Sequence, residues 1–144
     1  MSKKIFRSIL AVSAAVLLIC VLCVSYVLHG YFGKIIEDEL KEEGNFVAQI
    51  AENDVSGLYD VKNVKNRITL IAQDGSVLFD SYKDAADMDN HGSREEIAKA
   101  EKNGEAFAVR YSDTLSTRTI YYAKLLDNGD VIRIAQQQSM VSMM

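Results

Sequence analysis

The chain opens with a long apolar run, and alternating patterns of apolar and polar residues follow it. Residues 8–28 read SILAVSAAVLLICVLCVSYVL, without a charged residue. A span of about 20 apolar residues matches the hydrocarbon thickness of a bilayer. A cleaved signal peptide is the main competitor, but its apolar core is usually about 7–15 residues long, and no small-x-small cleavage site closes this run. The pattern therefore favours one uncleaved membrane helix over residues 8–28.

A helical period of apolar residues continues beyond this span. After a collar at residues 29–33, apolar side chains recur at helical spacing between Lys34 and Leu58, and acidic residues occupy much of the other face. Gly44 lies within this pattern and weakens a helix by about 1 kcal/mol relative to alanine, which allows a bend there. We therefore predict a membrane-proximal helix within residues 29–58.

From residue 67 the period of apolar positions changes to two, which is typical of β-strands. Asp74-Gly75 and Asp127-Asn128-Gly129 are turn signals between strands. A short helix is expected between the second and third strands, where Ser93 and Glu96 have the spacing of a capping box. The predicted strands are residues 67–73, 76–81, 106–112, 118–126 and 130–136.

This order of elements predicts an α+β fold. The economical arrangement is a five-stranded antiparallel sheet with helices on one face, because a half-apolar sheet must bury that face against another layer. The membrane helix and the helix that continues from it precede this sheet. The tail after the span is long enough for one small domain and too short for two.

Charge gives the membrane helix a direction. Lys3, Lys4 and Arg7 precede the span without any acidic residue, so the N-terminus is expected in the cytoplasm. With three of the 16 basic residues before the span and all 20 acidic residues after it, the rest of the chain carries a net charge of −7. A negative domain argues against nucleic acid as a partner. We expect a single-pass protein of the plasma membrane, with lipid contacts through residues 8–28 and the sheet domain outside the cell.

The sequence contains no motif that predicts catalysis, a cofactor or a metal. Cys20 and Cys23 have CxxC spacing, but they lie inside the apolar span without a second pair, so we interpret them as small apolar residues of a helix. No nucleophile elbow and no HExxH motif occurs. Three aspartates in the loop after the second strand could offer oxygen ligands to calcium, although a solvated loop is the preferred interpretation. They are Asp84, Asp87 and Asp89.

Three polar side chains are predicted to contact a ligand, if the domain binds one: His91, Arg94 and Arg110. A histidine and two arginines suit a carboxylate or phosphate, because a guanidinium group offers two parallel donors. The competing interpretation is that these residues are surface polar groups of the strands and of the loop before the helix. An aromatic wall for the same cavity is expected from Tyr111, Tyr121 or Tyr122, of which we select Tyr122.

Several motifs together resemble a known family. They are RITLIAQDGSVLFDS at residues 67–81, then Asn90-His91 with Arg94 and Glu96-Ile97, and the closing hairpin. They are similar to the extracellular single-Cache (PAS-like) domain of sensor histidine kinases of the phosphate-regulon type in Gram-positive bacteria. Glu95 stands where that family usually has proline, a departure compatible with a first helical turn. The resemblance covers nearly the whole chain.

The resemblance implies the membrane-anchored extracellular sensory module of a two-component histidine kinase, either as a truncated N-terminal part or encoded alone. It also implies a homodimer and a small ligand or protein signal outside the cell. Family members continue through a second membrane helix into a kinase core, which this chain lacks, so kinase activity is expected only of a longer parent. A membrane-anchored interaction protein and a pilin-like structural subunit remain as alternatives. The expected division is a cytoplasmic N-terminus at residues 1–7, the membrane helix at 8–28, the membrane-proximal helix at 29–58, the sensor domain at 59–137 and the start of a truncated second membrane segment at 138–144.

Overall fold

The structure is a computed structural model that describes residues 2–61, 65–112 and 117–137. Helix α1 covers Ser2–Asn53, and the short helix α2 follows at Gly57–Asp60. The chain forms two compact units, one ending at Ile36 and the other beginning at Glu37, and each is described by itself. The interpretation of residues 138–144 as a second membrane segment lies outside the described residues.

The first unit consists of the apolar part of helix α1. Every side chain from residue 3 to residue 35 is exposed, including large apolar ones such as Leu17, which is 65% exposed. A helix with an apolar surface on all sides suits hydrocarbon, where its backbone groups are all bonded within the helix. As predicted, this helix is long and apolar enough to cross a membrane.

The second unit contains one antiparallel sheet of five strands in the order β2-β1-β5-β4-β3. Helix α3, Glu95–Asn103, connects the second and third strands, after a single 3-10 turn at Ala85–Asp87. The predicted α+β fold, a long apolar helix followed by a five-stranded antiparallel sheet with helices, is confirmed. The strands are β1 Arg67–Ile71, β2 Val77–Asp80, β3 Glu105–Ser112, β4 Thr117–Leu125 and β5 Val131–Gln137.

The two predicted turns of the sheet depend on glycine. Gly75 and Gly129 have φ angles of 82° and 86°, a region that residues with a Cβ rarely adopt. The carboxylate of Asp74 accepts a hydrogen bond of 2.9 Å from the backbone N–H of Ser76 and so closes the first turn. Both turns join neighbouring strands where the sequence placed them.

Helices cover both faces of the sheet, whereas the sequence analysis placed them on one. Gly44 of α1 lies against Tyr122 and Ile134 on one face. Helix α3 packs on the other face, since successive strand residues point to opposite sides. The sequence could not show this division, because residues 131–135 of β5 are all buried and have no alternating pattern. The apolar cluster around α3 consists of Ile97 and Ala100 with Ile71, Ala106, Ala123 and Val131.

Helix α1 ends earlier than the predicted limit at Leu58. Its last residue is Asn53, and the chain turns at Asp54, whose carboxylate accepts a hydrogen bond of 2.9 Å from the backbone N–H of Ser56. This local bond competes with helix continuation, as is usual for aspartate. Leu58 is buried in the separate helix α2 instead. The apolar period therefore continues across a real break in the helix.

Candidate functional site

A connected set of charged and polar side chains lies on the α3 face of the sheet, and we call it the buried polar network, since all its members except the partly exposed Arg110 are buried. Each buried charge needs a partner and hydrogen bonds, because transfer from water into the interior is costly. Five different elements contribute, so the network exists only in the folded domain. Its members are Arg67 and Thr69 of β1, Asp80 of β2, Glu96 of α3, Arg110 of β3 and Arg133 of β5.

The first half of the network is the ion pair between Arg67 and Asp80. Nε of Arg67 donates to both carboxylate oxygens, at 2.9 Å and 3.0 Å. The same carboxylate accepts from the hydroxyl of Thr69 at 2.8 Å and from the backbone N–H groups of Tyr82 and Lys83 at 2.9 Å and 3.0 Å. These bonds satisfy the buried aspartate and fix the start of the loop that follows β2.

The second half of the network surrounds Glu96. Its carboxylate accepts from Nη1 of Arg133 at 3.2 Å and from Nη2 of Arg110 at 3.1 Å. Burial acts to raise the pKa of Glu96, but the hydrogen bond from Arg110 and the charges of both arginines hold this pKa below its ordinary value. Nη2 of Arg133 also donates to the hydroxyl of Thr69 at 3.1 Å, which joins the two halves. Glu96 is therefore an ionised group shared by two arginines.

The predicted capping box is not formed. Helix α3 begins at Glu95 with Arg94 as its N-cap, and no side chain caps it. The carboxylate of Glu96 bonds the arginines of the network instead of reaching back to the residue at position 93. The spacing of Ser93 and Glu96 was therefore a misleading signal, because two partners distant in sequence compete for the same carboxylate.

His91 lies beside the network in the loop before α3. It is 5% exposed, and its Nδ1 has no hydrogen-bond partner among the described residues. Burial lowers its pKa to about 4, and the charges of Arg133, Arg94 and Arg67 act in the same direction. The imidazole is therefore neutral at pH 7. Its backbone N–H donates to the carbonyl of Gly75 at 2.7 Å, which ties the loop to the first turn of the sheet.

Lowering the pH below 7 is expected to destabilise the sheet domain through His91. The folded pKa of about 4 lies below the ordinary value of 6.5. The unfolded chain therefore binds more protons between these pH values, and stability falls as the pH decreases, by at most about 1.4 kcal/mol per pH unit for this group. Urea unfolding of the full chain in detergent micelles across this interval measures the slope. The variant His91→Gln should lack the part of the pH dependence that comes from His91. If its stability changed with pH as that of the unmodified chain does, His91 would not be the group responsible.

Of the four residues predicted to contact a ligand, three are on the network's side of the sheet. Arg110 belongs to the network, and His91 lies beside it. Arg94 is close enough for its charge to lower the pKa of His91. Tyr122 is on the opposite face, where its hydroxyl donates to Glu105 at 2.8 Å. Tyr122 therefore does not share a face of the sheet with the other three residues, and contact of the four with a ligand stays a prediction.

Tyr121 is the aromatic residue that accompanies the arginines. Its ring centroid lies 4.3 Å from Cζ of Arg110 and 5.3 Å from Cζ of Arg133, within reach of a cation–π interaction. Neighbouring residues of a strand point to opposite faces of the sheet, so only one of Tyr121 and Tyr122 can lie on the face that carries the network. The sequence offered no way to choose between Tyr121 and Tyr122.

The sequence analysis missed the role of Arg133, Glu96 and the pair between Arg67 and Asp80. One signal was present, since Arg133 interrupts the apolar run VIRIA of a central strand, where a charged residue requires a partner. Within the described part of the chain, no group of three histidine, cysteine, aspartate or glutamate side chains is placed to hold a metal ion. The arrangement is suited to charge recognition, and it holds no nucleophile activated by a base.

Comparisons with known proteins give little further information. No family model matches the chain, and no curated protein matches it. Among solved structures, the chain is similar to the YkuI protein of Bacillus subtilis, which has an EAL domain and was crystallised with the substrate c-di-GMP and calcium. The TM-score is 0.44 at 11% identity, over 74% of this chain and 35% of that chain. This chain thus spans about a third of that protein, and a similarity so low supports no functional argument.

Proposed function

We propose that the chain is the membrane-anchored extracellular sensory module of a two-component histidine kinase. Residues 8–28 are the anchor, residues 1–7 lie on the cytoplasmic side, and the sheet domain lies outside the cell. The kinase activity belongs to a longer parent, and this chain contributes the sensing part as a homodimer. The proposal assigns no catalytic residue to the chain.

The strongest support for this proposal is that residues from two separate motifs of the family resemblance contact one another in the fold. Arg67 and Asp80 belong to its first motif, and Glu96 belongs to its second, yet all three join the buried polar network. Buried ion pairs often contribute no more stability than apolar residues of the same volume. A sequence pattern centred on such groups therefore favours a role beyond packing, such as the detection of a charged signal.

Polar contacts also connect the second-unit part of α1 with the sheet. Lys41 forms an ion pair with Glu105 of β3, and Nζ of Lys124 in β4 donates to Oδ1 of Asn45 at 2.7 Å. Glu105 in turn accepts from the hydroxyl of Tyr122. In the proposed mechanism, a signal at the sheet shifts this helix between two packings, because packed elements change between discrete arrangements.

A chimera tests the proposal directly. The full chain is fused to the second membrane helix and kinase core of a histidine kinase of this type, and a reporter gene measures the output while the phosphate supply is varied. We expect an output that responds to the supply and a response that is lost when residues 67–136 are deleted. An output indifferent to that deletion contradicts the proposal.

Membrane topology is checked in the same cells with single cysteines, after Cys20 and Cys23 are replaced by alanine. A membrane-impermeant maleimide should label Lys102→Cys in intact cells and Lys4→Cys only after permeabilisation. The reverse pattern contradicts the orientation. Filaments containing the chain in electron micrographs would favour the pilin-like alternative instead.

A further inference from the structure

The thioether of Met88 lies against the guanidinium of Arg67, in the first half of the buried polar network. Nη2 of Arg67 donates to Sδ of Met88 over a long distance of 3.9 Å. The side chain of Arg67 is 4% exposed, and its Nε donates to both carboxylate oxygens of Asp80. A thioether is a weak acceptor. This buried cation therefore has a strong acceptor at Nε and a weak one at Nη2.

The loop after β2 holds Met88 in this position from both sides. Before it, the 3-10 turn closes with a hydrogen bond of 3.2 Å from the backbone N–H of Met88 to the carbonyl of Ala85. After it, Nδ2 of Asn90 donates to the carbonyl of Asp74 in the first turn of the sheet, at 2.7 Å. The position of the sulfur beside Arg67 is therefore determined by the fold of this loop.

Small molecules from solvent can reach Met88. Its side chain is partly exposed, and the residues on either side of it, Asp87 and Asp89, are exposed. Hydrogen peroxide converts a methionine into its sulfoxide, which is polar. In this reaction a lone pair of the sulfur attacks one peroxide oxygen, the O–O bond breaks, and the other oxygen leaves as water after proton transfer. The sulfur is oxidised and the peroxide is reduced.

The distance between the two side chains has room for the added oxygen. An ordinary N–H···O bond is about 2.9 Å long, and Nη2 is 3.9 Å from Sδ. An oxygen bound to Sδ, off the line between these two atoms, can therefore accept a hydrogen bond from Nη2. The unbranched methionine side chain has three rotatable bonds, so the oxygen can turn toward the guanidinium whichever lone pair is oxidised. A charge-assisted bond to oxygen is stronger than the present contact with sulfur.

We propose that Met88 is a site of oxidation by peroxide, and that Arg67 binds the sulfoxide oxygen through Nη2. The sulfoxide gives the guanidinium a second oxygen acceptor beside Asp80, so oxidation strengthens the first half of the buried polar network. This inference goes beyond the proposed function, because the reaction is a property of the chain itself and does not depend on a kinase.

The test treats the full chain in detergent micelles with hydrogen peroxide. Met88→Leu is the matched control, since it keeps the other four of the five methionines. Mass spectrometry of peptides should find one added oxygen on Met88. Urea unfolding, followed by circular dichroism, should show a midpoint about 0.5 M higher for the oxidised chain than for the untreated chain. The same treatment should not raise the midpoint of Met88→Leu.

A second measurement tests the contact with Arg67 in the folded chain. In ¹⁵N spectra, the Nε–H resonance of Arg67 should move when the unmodified chain is oxidised and should stay in place when Met88→Leu is treated. Arg67→Lys keeps the positive charge but has no Nη2, so oxidation should no longer raise its midpoint. If this variant does not fold, the resonance of Arg67 decides.

Three results would overturn the proposal. The first is that Met88 acquires no oxygen under conditions that oxidise free methionine. The second is that its oxidation lowers the midpoint or leaves it unchanged. The third is that the Arg67 resonance stays in place, or that Arg67→Lys gains as much stability from oxidation as the unmodified chain.

Discussion

Glu96→Gln is expected to destabilise the sheet domain by about 3–5 kcal/mol, because it removes one partner of a buried ion pair. The carboxylate of Glu96 is fully buried and is shared by Arg133 and Arg110. Glutamine preserves the volume, so the loss reports the charge rather than a cavity. Arg133, which is itself buried, then loses the carboxylate that it is paired with, and burial already acts to lower its pKa. Urea unfolding of the full chain in detergent micelles, followed by circular dichroism, measures the change.

The neighbouring residue provides a matched control for this prediction. Glu95 is in the same helical turn, but its side chain is 58% exposed and pairs with Lys99 at 2.6 Å. Exposed pairs at this spacing contribute about 0.2–0.5 kcal/mol, so Glu95→Gln should change stability only slightly. Equal effects of the two variants would show that Glu96 is solvated and that the network is not buried.

Gly44→Ala is expected to destabilise the same domain by about 1–3 kcal/mol through overpacking, although alanine favours helices. A Cβ at residue 44 would lie 2.5 Å from Cδ1 of Tyr122. Tyr122 is fully buried, and its hydroxyl donates to Glu105, so the ring has little room to move. The same unfolding experiment measures the loss, and a second substitution, Tyr122→Leu, should recover part of it.

A substitution at another glycine of helix α1 serves as the control, because it changes helix propensity without changing packing. A Cβ at Gly33 meets no atom within 4 Å. Gly33→Ala should therefore have no packing cost, and the gain in helix propensity is at most about 1 kcal/mol. If Gly44→Ala stabilised the chain as Gly33→Ala does, the close approach between α1 and β4 would be refuted.

The strands and turns of this domain could be predicted from the sequence because their signals are local. Short segments rich in β-forming residues located five strands, and the glycines at 75 and 129 located two turns within a residue or two. The apolar span needed no more than its length and composition. These features are determined by residues that are close together in the sequence, so the sequence is sufficient to predict them.

The candidate site could not be predicted in the same way, because its contacts join distant segments. Arg133 bonds Thr69, which is 64 residues away, and Glu96, which is 37 residues away. Glu96 was assigned to a local capping box because nothing in the sequence connects it with Arg133 or Arg110. Which side chains meet depends on the strand order and register, and a single sequence leaves both undetermined.

Strand β5, the last strand in the described part of the chain, lies in the middle of the sheet. Before β5 leaves the ribosome, the β1–β2 hairpin and the β3–β4 hairpin have no strand to connect them. Isolated two-stranded hairpins are marginally stable in water. The nascent domain therefore exposes apolar edges until its synthesis reaches residue 137, and it depends on rapid insertion of this closing strand to escape aggregation.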